Sequence, residues 1–167
     1  ELSLAPGESG GQRFVLATVR DISARKQIEE RLKKEDEIKQ VIYSVLETAM
    51  EPLPLEDKLQ QSLDTILATS SFGFLRSGCI FMTDEQEDLK MVVQQGLSPE
   101  MQADCSSVPF GECLCGKVAV DQEAVFKNCE SNRHHTSTAV PPHGHYCAPI
   151  KSRDKLLGIL NLYVEAG

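Results

Sequence analysis

The chain alternates between short stretches with a period of two and longer stretches with helical spacing. Residues 22 to 51, "ISARKQIEERLKKEDEIKQVIYSVLETAME", carry no Gly or Pro and are rich in Glu, Lys, Arg and Leu, which predicts a long exposed helix. Ile28, Ile38, Ile42, Val45 and Ala49 fall at core-type positions of a heptad, and Arg31 and Glu35 interrupt the seam. Two readings stay open for this helix: a solvated linker, or a parallel dimer helix that carries a signal along its axis. The prolines of "EPLPLEDKL" end it. Beyond them Leu55, Leu59, Leu63, Ile66 and Leu67 have the spacing of one buried helix face, which predicts a helix lying on a sheet.

"GCIFMTD" and "LKMVVQQG" read as two strands joined by the acidic turn Asp84 to Asp88. "LSPEMQADCSSVPFGE", broken by Pro and Gly, reads as loop or a short helix, and a further short helix is expected from Cys113 in "CLCGKVAVDQ". "AVFKN" reads as a short strand, "CESNRHHTSTAVPPHG" as a long irregular loop, and "HYCAPI" with "KLLGILNLYVEA" as two strands around "KSRDK". The order predicts an α+β domain with an antiparallel sheet flanked by helices, preceded by a long connecting helix. At the start, "ELSLAPGESGGQRFVLATVRDI" reads as two strands around a Gly/Ser-rich turn with nothing to pack on, and the chain stops straight after an apolar strand; both suggest a piece of a longer polypeptide.

With 167 residues and 41% hydrophobic content, one compact domain with attachments is expected. A net charge of −8, from 17 basic and 25 acidic side chains, with no basic run and no Trp, argues against nucleic acid as a partner. No apolar run approaches the roughly 20 residues needed to cross a bilayer, and no signal-peptide pattern opens the chain, so a cytoplasmic location without membrane contact is expected.

The chemistry gathers in one place. All four histidines and four of the six cysteines lie between residues 113 and 147. Cys113, Cys115, Cys129, His134, His135, His143, His145 and Cys147 offer thiolate and imidazole, ligands suited to zinc, iron or an iron–sulfur cluster. We take Cys113, Cys115, Cys129, His134, His143, His145 and Cys147 as the candidate metal ligands, although their spacing is not that of a zinc finger or ferredoxin. In "HGHYCAPI", an extended backbone would turn His143, His145 and Cys147 to one face. Each residue also has a plain packing reading: free cysteine behaves as a small buried hydrophobe, most clearly Cys79, and Cys105 has no local partner.

"LQQSLDTIL", "GCIFMTDEQEDLKMVVQQGL", "VPFGECLCGKVAVDQEAVFKN" and "HYCAPIKSRDKLLGILNLYV" together resemble a GAF domain over about residues 55 to 164. "FVLATVRDISARKQIEERLK" resembles the last strand of a PAS domain and its departing helix, with "ELSLAP" as the strand before. The resemblance divides the chain into a partial PAS hairpin (1–23), a linker helix (24–51) and a C-terminally truncated GAF domain (52–167). It implies a non-enzymatic sensor module of a multidomain signalling protein, homodimeric through the linker helix, whose output enzyme, such as a histidine kinase or diguanylate cyclase, lies outside this chain.

In a GAF-like fold the short helix, the loop and the following strand wall one pocket, so Cys115 could face Cys147, and the helix N-terminus would lower a thiol pKa there. Cys113 and Cys115, two apart, cannot both point inward on a helix. Two alternatives use the same region. One is a thiol enzyme like the free methionine sulfoxide reductases, GAF domains whose Gly-x-Cys-Gly motif resembles "CLCG", with Cys129 and Cys147 as further cysteines. The other is a small organic effector, such as a cyclic nucleotide, in a pocket lined by Phe110, Val118, Phe126 and Tyr146.

Overall fold

In the computed structural model, the structure describes residues 1–69, 73–128 and 143–165, and excludes the side chains of Phe14, Asn128, His143 and Glu165. The chain forms two compact units, residues 1–39 and 40–167, and helix α1 (Ser23–Met50) contributes to both.

In the first unit, β1 (Leu2–Ser9) and β2 (Gln12–Val19) form an antiparallel hairpin, turning at Gly10 and Gly11, both at positive φ. The register sets Leu2 opposite Val19, Leu4 opposite Ala17 and Pro6 opposite Val15, which gives the hairpin one apolar face. In α1, Arg25 pairs with Glu29 and Arg31 with Glu35, so the two residues that interrupt the heptad seam bond each other across one turn of exposed surface.

The second unit is built around a sheet with strand order β5-β4-β3-β8-β7-β6 among the described residues, antiparallel throughout. Its strands are β3 (Phe74–Thr83), β4 (Asp88–Gln95), β5 (Ser107–Pro109), β6 (Val125–Asn128), β7 (His143–Ser152) and β8 (Lys155–Glu165). Helices α2 (Leu55–Ala68), α3 (Pro99–Asp104) and α4 (Cys113–Asp121) complete it. The α+β class and the flanking helices are as the sequence predicts. The short strand β5 is additional: three residues in a Pro-interrupted segment carry no readable period, and pairing with Asp88–Lys90 makes them a strand.

Two apolar clusters lie on opposite sides of the sheet. Leu63 and Leu67 of α2 pack with Ile80, Val93 and Leu162, with Leu59 and Ile66 beside them. Leu55, counted on the same helix face in the sequence, is exposed because it opens the helix beyond this cluster. On the other side Phe81, Leu89, Val108, Val118, Ala119, Ile159 and Tyr163 form the second cluster under α4. Close approach of α4 to β5 depends on Gly116, where a Cβ would run into the Pro109 carbonyl oxygen, and the Gly116 carbonyl accepts the Gly111 amide at 2.8 Å. The other end of α4 stops at Gln122, in the left-handed region, whose carbonyl accepts Lys151 Nζ of β7 at 3.2 Å.

Candidate functional site

Strand period two sorts β7 and β8 into a scaffold face and a chemical face. On β8, Leu162 joins the α2 cluster, whereas Ile159, Asn161 and Tyr163 point toward α4. On β7, His145 and Cys147 are buried and the intervening Tyr146 is exposed. The register places Asn161 directly between Cys79 of β3 and Cys147 of β7, so one row across three strands reads Cys, Asn, Cys. The neighbouring row places His145 beside Tyr163, ring centroids 4.6 Å apart and planes tilted by 55°.

Asn161, 3% exposed, is the hub of a buried polar network. Its Oδ1 accepts a hydrogen bond from Cys147 Sγ at 3.1 Å and lies 3.2 Å from His145 Nδ1. Its Nδ2 reaches Cys79 Sγ at 3.9 Å. Cys147 Sγ in turn lies 3.8 Å from Cys115 Sγ, which descends from the first turn of α4. A buried amide held by imidazole and thiols satisfies itself without a charge, which suits an apolar surround.

Cys113 and Cys115 divide as the i,i+2 argument requires: Cys115 is buried, and Cys113 is exposed at the helix start with φ of 45°, an uncommon conformation for a residue with a Cβ. The expected lowering of a thiol pKa by the helix N-terminus is corrected. Hydrogen bonding with Cys115 pushes the Cys113 thiol up. The bond with Cys113 lowers the Cys115 thiol, but bonding with Cys147, burial and the nearby Cys147 and Cys79 outweigh it and leave it well above the usual range. Burial and the thiols around it outweigh the end of a nine-residue helix. Burial likewise lifts Cys79 to about 12 and Cys105 to about 11. It also raises the Tyr163 phenol.

The sequence candidates are therefore partly gathered. Cys115, Cys147 and His145 share the network, and Cys113 sits at its rim. Cys129, His134 and His135 lie outside the described residues, as does the side chain of His143. Among the described residues no group of three His, Cys, Asp or Glu is placed to hold a metal ion, and the described part of the proposed ligand set amounts to the adjacent thiols of Cys115 and Cys147, the exposed Cys113, and an imidazole linked through Asn161. The four proposed effector-pocket residues fall on two sides of the sheet. Val118 is buried and Phe110 partly buried in the α4 cluster, whereas Phe126 and Tyr146 are register partners, exposed, on the face away from Cys147.

Asn161, Cys79 and Tyr163 entered the site unannounced. Asn161 is the one polar side chain in the apolar run "LLGILNLYV", and a polar residue at an inward strand position needs a partner; that signal was available.

An antiparallel six-stranded sheet with α2 on one face and a small helix over a polar row on the other makes this an α+β domain. Residues 53–167 match the family described as GAF domain, and the chain belongs to that family. Solved structures agree on the fold. The GAF domain from an Acinetobacter phosphoenolpyruvate-protein phosphotransferase is 20% identical, with a TM-score of 0.59, covering 80% of this chain and 78% of that one. The nlh2 GAF domain of A. aeolicus in an inactive state is 18% identical, with a TM-score of 0.63, covering 80% and 82%. The free methionine-R-sulfoxide reductase of Neisseria meningitidis, solved with its substrate, is 17% identical, with a TM-score of 0.56, covering 74% and 70%. No curated protein sequence matches the chain.

Proposed function

We propose that this chain is the regulatory GAF module of a multidomain signalling protein, and that it senses a metal, a redox state or a small ligand through the pocket floored by Cys115, Cys147, His145 and Asn161. The observation that carries this reading is the buried network itself: thiols, an imidazole and an amide converge under α4 on the face opposite the α2 scaffold. In this reading the hairpin of β1 and β2 is the end of a PAS domain, and α1 is a signalling helix that pairs with its copy in a homodimer and relays the change. The output enzyme lies elsewhere in the polypeptide and this module catalyses nothing. If zinc, iron or an iron–sulfur cluster is the effector, Cys115 and Cys147 supply thiolates, and Cys113, Cys129, His134, His143 and His145 are the remaining ligands to test. Bound there, such a group would supply a strong link between α4 and β7. The location is cytoplasmic, a reading compatible with the lack, among the described residues, of any helix long and apolar enough to cross a membrane.

The thiol-enzyme alternative has the fold of the N. meningitidis reductase in its favour. The sensor reading is preferred because an enzyme's nucleophilic thiol must meet its substrate, and Cys115 and Cys147 are both buried. The test is elemental analysis with an absorption spectrum on protein purified without oxygen, beside a variant with Cys115, Cys129 and Cys147 changed to Ser. Stoichiometric metal that vanishes in the variant makes the cluster a ligand set. Metal-free protein with titratable thiols removes metal sensing and leaves redox or an organic effector; thiol-dependent reduction of free methionine sulfoxide would overturn the non-enzymatic reading.

A further inference from the structure

Among the described cysteines, Cys115 and Cys147 are 3.8 Å apart, sulfur to sulfur, each on a different element, and neither is bonded to the other. Cys115 is 6% exposed and Cys147 fully buried, so no reagent in solution reaches Cys147 directly. Cys113 is exposed two residues away, at the start of the same helix. The three thiols thus run in series from solvent to the sheet. We propose that Cys115 and Cys147 are a redox pair that closes into a buried disulfide joining α4 to β7, with Cys113 as the accessible thiol through which a hydroperoxide delivers the oxidation. This deepens the sensory reading above and rests on it for its biological meaning.

The chemistry balances in three steps. The Cys113 sulfur attacks a hydroperoxide oxygen, the O–O bond breaks, an alcohol (water, from hydrogen peroxide) leaves, and Cys113 becomes a sulfenic acid. The Cys115 sulfur displaces that hydroxyl, which leaves as water with the thiol proton, and a Cys113–Cys115 disulfide forms. Cys147 then attacks Cys115, gives its proton to the departing Cys113, and the Cys115–Cys147 bond remains. In sum, two thiols lose two hydrogens and one hydroperoxide is reduced. A disulfide spanning only one intervening residue is strained, so exchange onto the interhelix-to-strand pair runs downhill.

Closure has a structural consequence. A disulfide is about 2.05 Å long, so the two sulfurs approach by about 1.8 Å. The N-terminal turn of α4 is tied at Gly116 to the β5 side and its far end to Lys151, so the pull falls on the first turn, where Cys113 already holds a positive φ. Cys147 also loses the hydrogen it gives to Asn161 Oδ1, and that oxygen must then be served by an Nδ1–H on His145. Oxidation at the rim is therefore written into the imidazole and into the central strand β8.

The test treats the 167-residue chain with hydrogen peroxide, quenches with N-ethylmaleimide, and maps peptides under non-reducing conditions beside Cys113→Ser. The expected product is a peptide pair linked through Cys115 and Cys147, two hydrogens lighter and restored by dithiothreitol, formed about tenfold more slowly in Cys113→Ser because the buried pair loses its accessible entry thiol. A stable Cys113–Cys115 bond, pairing with another cysteine, or sulfinic acid without a link overturns the pair; an unchanged rate in Cys113→Ser overturns the entry role. Hydrogen exchange of the oxidised protein separates this from the sensory reading. A bond that forms without altering protection outside α4 and β7 sinks that reading but not the pair, and altered protection on metal or effector binding without a bond does the reverse.

Discussion

Asn161 Oδ1 and His145 Nδ1 lie 3.2 Å apart on neighbouring strands, both 3% exposed, and the same oxygen takes the Cys147 thiol at 3.1 Å. One amide oxygen therefore serves an imidazole and a thiol. Replacing it with an apolar side chain of similar size leaves two polar groups with a shared partner missing. Asn161→Leu is expected to cost about 1–3 kcal/mol, the usual range when one member of a buried hydrogen-bond network is removed. Urea unfolding measures it; a change within a few tenths of a kcal/mol would show the network contributes little.

Cys79 gives a pH signature. Its folded-state pKa is raised from 9.0 to about 12, first by burial, so the folded protein holds this proton more tightly than the unfolded chain does. The stability it contributes is complete below pH 9 and is lost as pH climbs toward 12, on the order of 4 kcal/mol in all at about 1.4 kcal/mol per pH unit. Cys79→Ala is expected to flatten the decline of stability with pH over that window, Cys105, Cys113, Cys115 and Tyr163 leaving a remainder. An unchanged slope would mean the thiol is wetter than its position implies.

Gly116 should not tolerate a side chain. In Gly116→Ala the new methyl meets backbone, the Pro109 carbonyl, which cannot swing aside as a side chain can. A loss of about 1–3 kcal/mol is expected, read as a lower thermal midpoint. Retention of the parent midpoint would mean that α4 slides freely on β5.

Along α2 the structure separates two leucines that the spacing groups together. Leu63 is fully buried and Leu55 is 61% exposed. Leu63→Ala is expected to cost about 2–5 kcal/mol and Leu55→Ala no more than about 0.5 kcal/mol by chemical denaturation. Equal effects would place Leu55 in an interface.

The proposed dimer turns on α1. Ile42, 53% exposed, is a seam residue, and Ile42→Glu sets a charge where the heptad needs an apolar side chain. Sedimentation equilibrium should return the monomer mass for the variant with helical circular dichroism unchanged. A parent protein already monomeric at high concentration would rule out pairing through this helix.

The legibility of the sequence followed the length of its periods. α1 and α2 repeat their pattern for more than ten residues and lie where it places them, and the pairs β3–β4 and β7–β8 contain the segments read as strands, with β3 beginning four residues earlier, at Phe74. β5 is three residues of a Pro-broken segment and exists because β4 offers it a ladder. The Cys115–Cys147 approach follows from the GAF resemblance rather than from any spacing, and the lateral order of strands is not readable from spacing either. That order brings Cys79 beside Asn161, and it converted a cysteine that looks like simple core into a neighbour of the site. The thiol pKa shifts ran opposite to expectation because the helix-end argument is local and desolvation depends on everything packed above it.

The alternation along β8 has a practical corollary for protein engineering. Ile159, Asn161 and Tyr163 meet the chemistry, and Leu160 and Leu162 meet the α2 scaffold. A library confined to the odd-numbered positions and their cross-strand neighbours Cys79, His145 and Cys147 would vary the buried polar network and its surround while leaving the α2 side of the sheet in place. The strand is in effect a two-sided circuit board, and one side can be rewired without touching the solder on the other.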